Sequence, residues 1–218
     1  MPARFGDNAP TAFRFGDSAV SRLYFGDSLV WSAKAYFFDD FNRADSTNLG
    51  TNWNEFSGTG MAISTNRLRA VGSQSFASWN TDCQTDDQFT QVTIGPARNG
   101  TIFLLVRNPA GWPMVYCTCA PSTGAWAILT DPSSAAGNHT TRVSGSVGST
   151  AMATGLNLRF QALGDVYTIL LDGTPIPSAT WTDSGGAVVA PGPTKRKVGI
   201  QLIGGGTINV DDWSGGDL

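Results

Sequence analysis

Glutamate and histidine are almost missing from this chain of 218 residues, where Glu55 and His139 are the single copies. Chemistry that needs a pair of glutamates, or several histidines around a metal, is thereby excluded. Cysteine is scarce too: Cys83, Cys117 and Cys119 are an odd number, which gives no disulfide framework. The Cys-Thr-Cys spacing places two thiols on one face of a strand, so the three read as small core residues. Zinc held through sulfur would lack a fourth ligand at suitable spacing. Basic residues number fourteen, scattered apart from Lys195-Arg196-Lys197, and the net charge is −3, which argues against a nucleic-acid partner. The longest apolar runs, such as residues 102–106, have about five residues, whereas a helical membrane span takes about 20, so no membrane insertion is expected. The first ten residues carry no apolar stretch of the signal-peptide kind, and the expectation is synthesis in a cytoplasm.

Glycine, by contrast, is abundant at 26 copies, many beside Asp, Asn, Ser or Thr, as in chains of short strands joined by tight turns. The first thirty residues repeat with a period of ten: Phe5-Gly6-Asp7, Phe15-Gly16-Asp17 and Phe25-Gly26-Asp27. Each unit reads as a short strand, a Gly-Asp turn and a second short strand. Ten residues cannot bury an aromatic face alone, so the units must stack within or between chains. Residues 1–33 are therefore expected to form an attachment and oligomerisation module. A homotrimer would bury Phe5, Phe15, Phe25 and Trp31 about a common axis.

From about residue 36 the pattern becomes a series of strands without helical periodicity. Residues 102–106 and 114–119 are apolar runs of buried-strand length, and residues 156–162 alternate, with Leu156, Leu158 and Phe160 inward and Asn157, Arg159 and Gln161 outward. Residues 166–171 run into Asp172-Gly173, a hairpin turn, and 197–202 and 207–213 supply further strands. Segments 133–149 and 184–193 read as surface loops. The matching forms Phe38-Asp39-Asp40-Phe41 and Val210-Asp211-Asp212-Trp213 suggest first and last strands lying together, which favours an all-β sandwich over a barrel.

The segment from Phe38 to Trp53 resembles the opening of concanavalin A-like jelly-roll domains of the laminin-G type. The Gly164–Gly173 hairpin, the Val198-Gly-Ile-Gln-Leu run and Val210–Trp213 support that resemblance over residues 36–218. The Tyr24-Phe-Gly-Asp-Ser-Leu-Val-Trp31 form is similar to repeats in minor tail proteins of phages that infect actinobacteria. An excess of arginine over lysine, eleven to three, suits a GC-rich genome. The resemblance implies a virion component at the tail tip or in a tail fibre, neighbouring other tail proteins, with the lectin-like domain turned toward host-surface glycan. A tail or capsid decoration protein that binds no ligand is the structural alternative, and a cell-wall glycosidase the catalytic one.

Against the glycosidase, the acidic pairs Asp39-Asp40, Asp86-Asp87 and Asp211-Asp212 are adjacent residues that would point to opposite faces of a strand, and no pair spans one groove. No Gly-x-Ser-x-Gly elbow accompanies His139, and no phosphate loop is present, so a non-enzyme is expected. Sugar binding needs aromatic platforms with planar polar groups beside them. Trp112, Tyr116 and Trp126 are the candidate platforms, with Arg107, Asn157 and Arg159 as outward polar partners. Trp53, Trp79 and Trp213 read as core. The lectin-like resemblance also implies a structural calcium ion near the chain ends, where Asp39, Asp40, Asp211 and Asp212 could supply oxygens.

Overall fold

The structure is a computed structural model. It describes residues 13–15, 18–20, 22–25, 28–58, 60–71, 75–109, 114–131, 139–204 and 207–218, with backbone only at 13–32, 56–58 and 75. Two hairpins come first, β1 (Phe13–Phe15) with β2 (Ser18–Val20) and β3 (Arg22–Phe25) with β4 (Ser28–Ser32), each joined through the Gly-Asp pair of a repeat. The second and third repeats each hold two antiparallel strands, and their Gly-Asp pairs lie outside the described residues. Phe5 lies outside the described residues, as do the side chains of Phe15, Phe25 and Trp31.

The remaining chain is a two-sheet jelly-roll sandwich. Its strands are β5 (Tyr36–Asp39), β6 (Trp53–Gly58), β7 (Met61–Ile63), β8 (Leu68–Ala70), β9 (Ser75–Trp79), β10 (Gln88–Arg98), β11 (Thr101–Asn108), β12 (Met114–Ala120), β13 (Ala125–Asp131), β14 (Thr140–Ser146), β15 (Asn157–Leu163), β16 (Val166–Leu171), β17 (Thr174–Thr182), β18 (Lys197–Ile203) and β19 (Ile208–Asp217). One sheet has eight strands in the order β17-β16-β15-β10-β19-β8-β7, with β5 also on β19; the other has seven in the order β14-β13-β12-β11-β18-β9-β6. Among the described residues the only helical element is a 3-10 turn at Ser184–Gly186, and no helix is long and apolar enough to cross a membrane.

Alternation decides what the sheets bury between them. Leu158 and Phe160 of β15, Ile102, Leu104 and Val106 of β11, and Val198, Ile200 and Leu202 of β18 all enter one core. Cys117 and Cys119 share its inner side, and all three cysteines are buried thiols. Trp53, Trp79 and Trp213 form its centre with ring centroids 4.6–5.3 Å apart. Each fully buried aromatic stabilises the fold by about 1.5–3 kcal/mol. Both indole N–H groups that reach polar partners are satisfied, Trp53 donating to Asp39 and Trp213 to Thr90.

The ends of the sandwich meet as expected, with β5 antiparallel to β19 from Tyr36↔Gly216 to Asp39↔Trp213. Asp217 secures the junction: its carboxylate accepts from the backbone N–H groups of Ala35 (2.7 Å), Gln84 and Thr85 and from the Thr85 hydroxyl. The β16–β17 hairpin turns on Asp172 (φ 50°) and Gly173 (φ 76°), both left-handed as a two-residue type I′ turn requires. One expectation fails, because β14 runs through the middle of the segment read as a loop. Its side chains are mostly exposed, and as a polar edge strand it offers no apolar alternation to detect.

Candidate functional site

Outer faces of a sandwich ordinarily face water with polar side chains. The outer face of the seven-stranded sheet instead carries a second apolar cluster: Leu105, Met114, Tyr116 and Leu129 are buried, with Phe76, Phe103 and Ala127 packed against them and partly exposed. Phe103 lies 5.7 Å from Tyr116 and 6.4 Å from Phe76, edge-on to the latter. Gln201 occupies the position between Phe76 and Phe103, being register partner to both. In the next row Ser78 pairs with Gly199, which pairs with Leu105. Gly199 is obligatory there, since a Cβ would stand 2.2 Å from the Ala77 carbonyl oxygen.

The polar groups in this cluster are the informative ones. Gln201 is 1% exposed and Ser78 is fully buried, yet among the described residues neither carboxamide atom of Gln201 nor the Ser78 hydroxyl has a hydrogen-bond partner. An unsatisfied buried polar group costs about 1–3 kcal/mol, and native folds contain few of them. Burial, aided by the Asp131 carboxylate, pushes the Tyr116 hydroxyl up to about 12, so it is a neutral hydrogen-bonding group at ordinary pH.

Carboxylates are sparse on this sheet. Its seven strands contain only Glu55 and Asp131. Glu55 is paired in register with the inward Ala77, and its oxygens accept from the backbone N–H groups of Leu49 and Met61. Asp131 alone shares the outer face with Met114, its register partner. The strands present no two carboxylates facing across a groove.

The candidate residues named from sequence fall in several places. Tyr116 is on the outer face just described, and Trp112 lies outside the described residues. Asn157 and Arg159 point outward as expected, but from the eight-stranded sheet, on the opposite side of the molecule from Tyr116. Arg159 stacks on Phe89 with its guanidinium carbon 4.0 Å from the ring centroid, and burial lowers its pKa.

Two assignments are corrected. Trp126 pairs with Cys119 and so faces the core, its ring filling the space over Gly145, where a Cβ would approach to 2.5 Å. Arg107 is 1% exposed and turned inward, because a register shift near the end of β11 places it at φ 51°. Its guanidinium donates to the Tyr167 hydroxyl and to the carbonyls of Gly164 and Asp86, tying β11 to the other sheet.

The four aspartates near the chain ends do not form one set of metal ligands either, although Asp40 and Asp211 are near enough to Asp212 for their charges to act on it. Asp39 is occupied by a two-bond contact with Arg43 and by the Trp53 indole. Asp40 caps the Asn42 amide, and Asp211 pairs with Arg67 at 3.1 Å. Among the described residues no group of three or more His, Cys, Asp or Glu side chains is placed to share an ion. The expected opposition of Asp211 and Asp212 also fails. Val210 and Trp213 both enter the core three positions apart, so a bulge takes up the two aspartates between them.

Gln201, Ser78, Phe76 and Phe103 were not singled out in advance. A signal existed for Gln201, since the alternation of Val198, Ile200 and Leu202 leaves it on the outer side of an otherwise apolar run.

No family model matches the chain, and no curated protein matches it in sequence. Solved structures do match in shape. The carbohydrate binding module CBM66 from Bacillus subtilis aligns with a TM-score of 0.51 at 16% identity, over 77% of this chain and 92% of that one. SCLam, a non-specific endo-beta-1,3(4)-glucanase from family GH16, gives 0.54 at 10% identity over 84% and 91%. The exoplasmic/lumenal domain of VIP36 in its Ca2+/Man3GlcNAc-bound form gives 0.51 at 10% identity over 78% and 86%. At these identities the likeness establishes the jelly-roll fold, which binding modules and glycosidases share.

Proposed function

We propose that this chain is a non-catalytic glycan-binding protein whose saccharide site is the outer face of the seven-stranded sheet. The observation that carries the reading is the Gln201 carboxamide, buried without a partner between Phe76 and Phe103. Rings with C–H-binding faces beside a planar donor-acceptor group match what a pyranose presents. Phe76 and Phe103 are partly exposed and cover the amide, so a sugar laid on them reaches it once the two rings move apart. The shape likeness to a carbohydrate binding module agrees. A lone Asp131 favours binding over hydrolysis, which takes two carboxyl groups.

The proposed biological setting rests on the N-terminal repeats. Their likeness to phage minor tail proteins supports a virion component at the tail, carried as a homotrimer through the β1–β4 hairpins and presented to host-surface glycan. Binding of the full chain to a glycan array and to host cell-wall material tests the central reading, with Gln201→Leu as the control expected to lose it. Binding that survives in Gln201→Leu places the site elsewhere. Failure of the wild-type chain to bind either material supports a decoration protein, and release of reducing sugar supports a glycosidase. Light scattering on the full chain and on residues 34–218 tests the trimer.

A further inference from the structure

The eight-stranded sheet has its own unexplained surface. Tyr36 and Phe38 of β5 are 66% and 52% exposed although they belong to a regular strand, and they stand on its outer side. Register places them across β19 from the outward residues of β10. One row runs Tyr36, Gly216, Phe89, and the next Phe38, Ser214, Gln91, Arg159. The middle strand therefore contributes only Gly216 and Ser214 between taller neighbours. The result is a trough with an aromatic wall on one side and Gln91, Thr93 and Asn157 on the other. Asp212 is at one end, and the approach of Tyr36 to Phe89, 6.3 Å between centroids, narrows the other. Its volume is about 120 Å³. That is small beside pockets for drug-sized ligands, roughly 300–1,000 Å³, and suits one sugar ring at most.

We propose that this trough is a second saccharide site, on the opposite side of the sandwich from the first. It takes a single neutral pyranose, its C–H face against Phe38 and its hydroxyl edge on Gln91, Asn157 and Asp212. The hydrogen bonds within the trough leave capacity for that edge. The Thr93 hydroxyl lies 3.2 Å from Asn157 Oδ1 and 3.4 Å from Asp212 Oδ2, and its one proton cannot serve both. Gln91 reaches Asn157 only at 3.5 Å. Asp212 accepts no other hydrogen bond among the described residues, and burial, followed by the charges of Asp211 and Asp40, raises its pKa. A partly desolvated carboxylate short of donors favours ligand hydroxyls. The same three aspartates disfavour a ligand carboxylate, while the Arg159 guanidinium is held over Phe89, beyond Gln91. Every group sits on a hydrogen-bonded strand, so the trough is preformed.

Titration of the nitrogen-labelled full chain with methyl glycosides of glucose, mannose, galactose and N-acetylglucosamine, followed by NMR, tests the proposal. At least one neutral glycoside is expected to move the side-chain amide signals of Gln91 and Asn157 and the backbone amides of Ser214 and Gly216. Phe38→Ala is expected to weaken that response about tenfold, glucuronic acid to bind about tenfold more weakly, and Gln201→Leu to leave it unchanged. No movement of these signals with any of the four glycosides overturns the proposal, as does an undiminished response in Phe38→Ala. Shifts confined to Gln201 and its neighbours would uphold the first site and overturn this one.

Discussion

The two outer faces of the sandwich treat apolar surface in opposite ways. The seven-stranded sheet hides Leu105, Met114, Tyr116 and Leu129 beyond its outer side, while the eight-stranded sheet leaves Tyr36 and Phe38 in water beside polar side chains. A face that behaves energetically as core can keep an unpaired amide only at a cost in stability. A face open to water can carry exposed rings with little effect on folding. The contrast separates two kinds of proposed binding surface on one frame, and five substitutions sharpen or break it.

The largest difference is expected between Leu105→Ala and Phe38→Ala in urea denaturation. Leu105→Ala should cost about 2–5 kcal/mol, as in a packed interior. Phe38→Ala should stay within about 0.5 kcal/mol. Equal costs would mean that the faces do not differ in packing. Arg107→Met comes next, at about 3 kcal/mol, because it removes the bonds from β11 to Tyr167 and Gly164 that join the sheets. If the variant is as stable as the parent, the faces are not coupled through this residue.

Gln201→Leu should act in the other direction. Replacing an unpaired buried amide with a side chain of similar size is expected to stabilise by about 1–3 kcal/mol. For a chain of this size each kcal/mol raises Tm by about 2–4 °C. A fall in Tm together with unchanged glycan binding would show that the amide serves the fold instead. The smallest effect belongs to Asp212. Its pKa is raised in the folded state, so the folded chain holds more protons than the unfolded one between the ordinary carboxyl value, about 4, and the raised value. Stability due to this group therefore falls as pH rises through that window and remains lower above it. Asp212→Asn, whose amide oxygen can still accept from Thr93, should raise Tm modestly at pH 7, with the difference closing below about pH 4. A gap that persists in acid would refute the electrostatic cause.

Regular strands were readable from residues because their periodicity has one source. Leu158 and Phe160 alternate with Asn157, Arg159 and Gln161 since one side of β15 is core and the other is not. The Asp172-Gly173 turn was readable because few residues tolerate its backbone angles. Alternation stops being informative where a bulge inserts a residue. That is why Arg107 turns inward against its expected direction and why Asp211 and Asp212 share the bulge of β19. It is also silent where both sides of a strand are apolar, as in β13. There the sequence Ala-Trp-Ala-Ile-Leu gives no hint that Trp126 and Ile128 face the core while Ala127 and Leu129 face the second cluster. The candidate sites were less legible than the fold. The partners of Gln201 and the wall opposite Phe38 come from strands distant in sequence, and only the register brings them together.

The junction of β5 with β19 has a mechanical meaning. If the proposed attachment through the N-terminal hairpins and the proposed binding by either face hold, tension between them enters the sandwich at Ala35. Ala35 is gripped from both sides, its N–H by the Asp217 carboxylate and its carbonyl by the Asp217 N–H at 2.9 Å. The same carboxylate holds Gln84 and Thr85 just before β10, so a pull on one strand end is shared at once with the middle of the sheet. Such a load would meet a rivet in the frame rather than a loose edge that could be peeled.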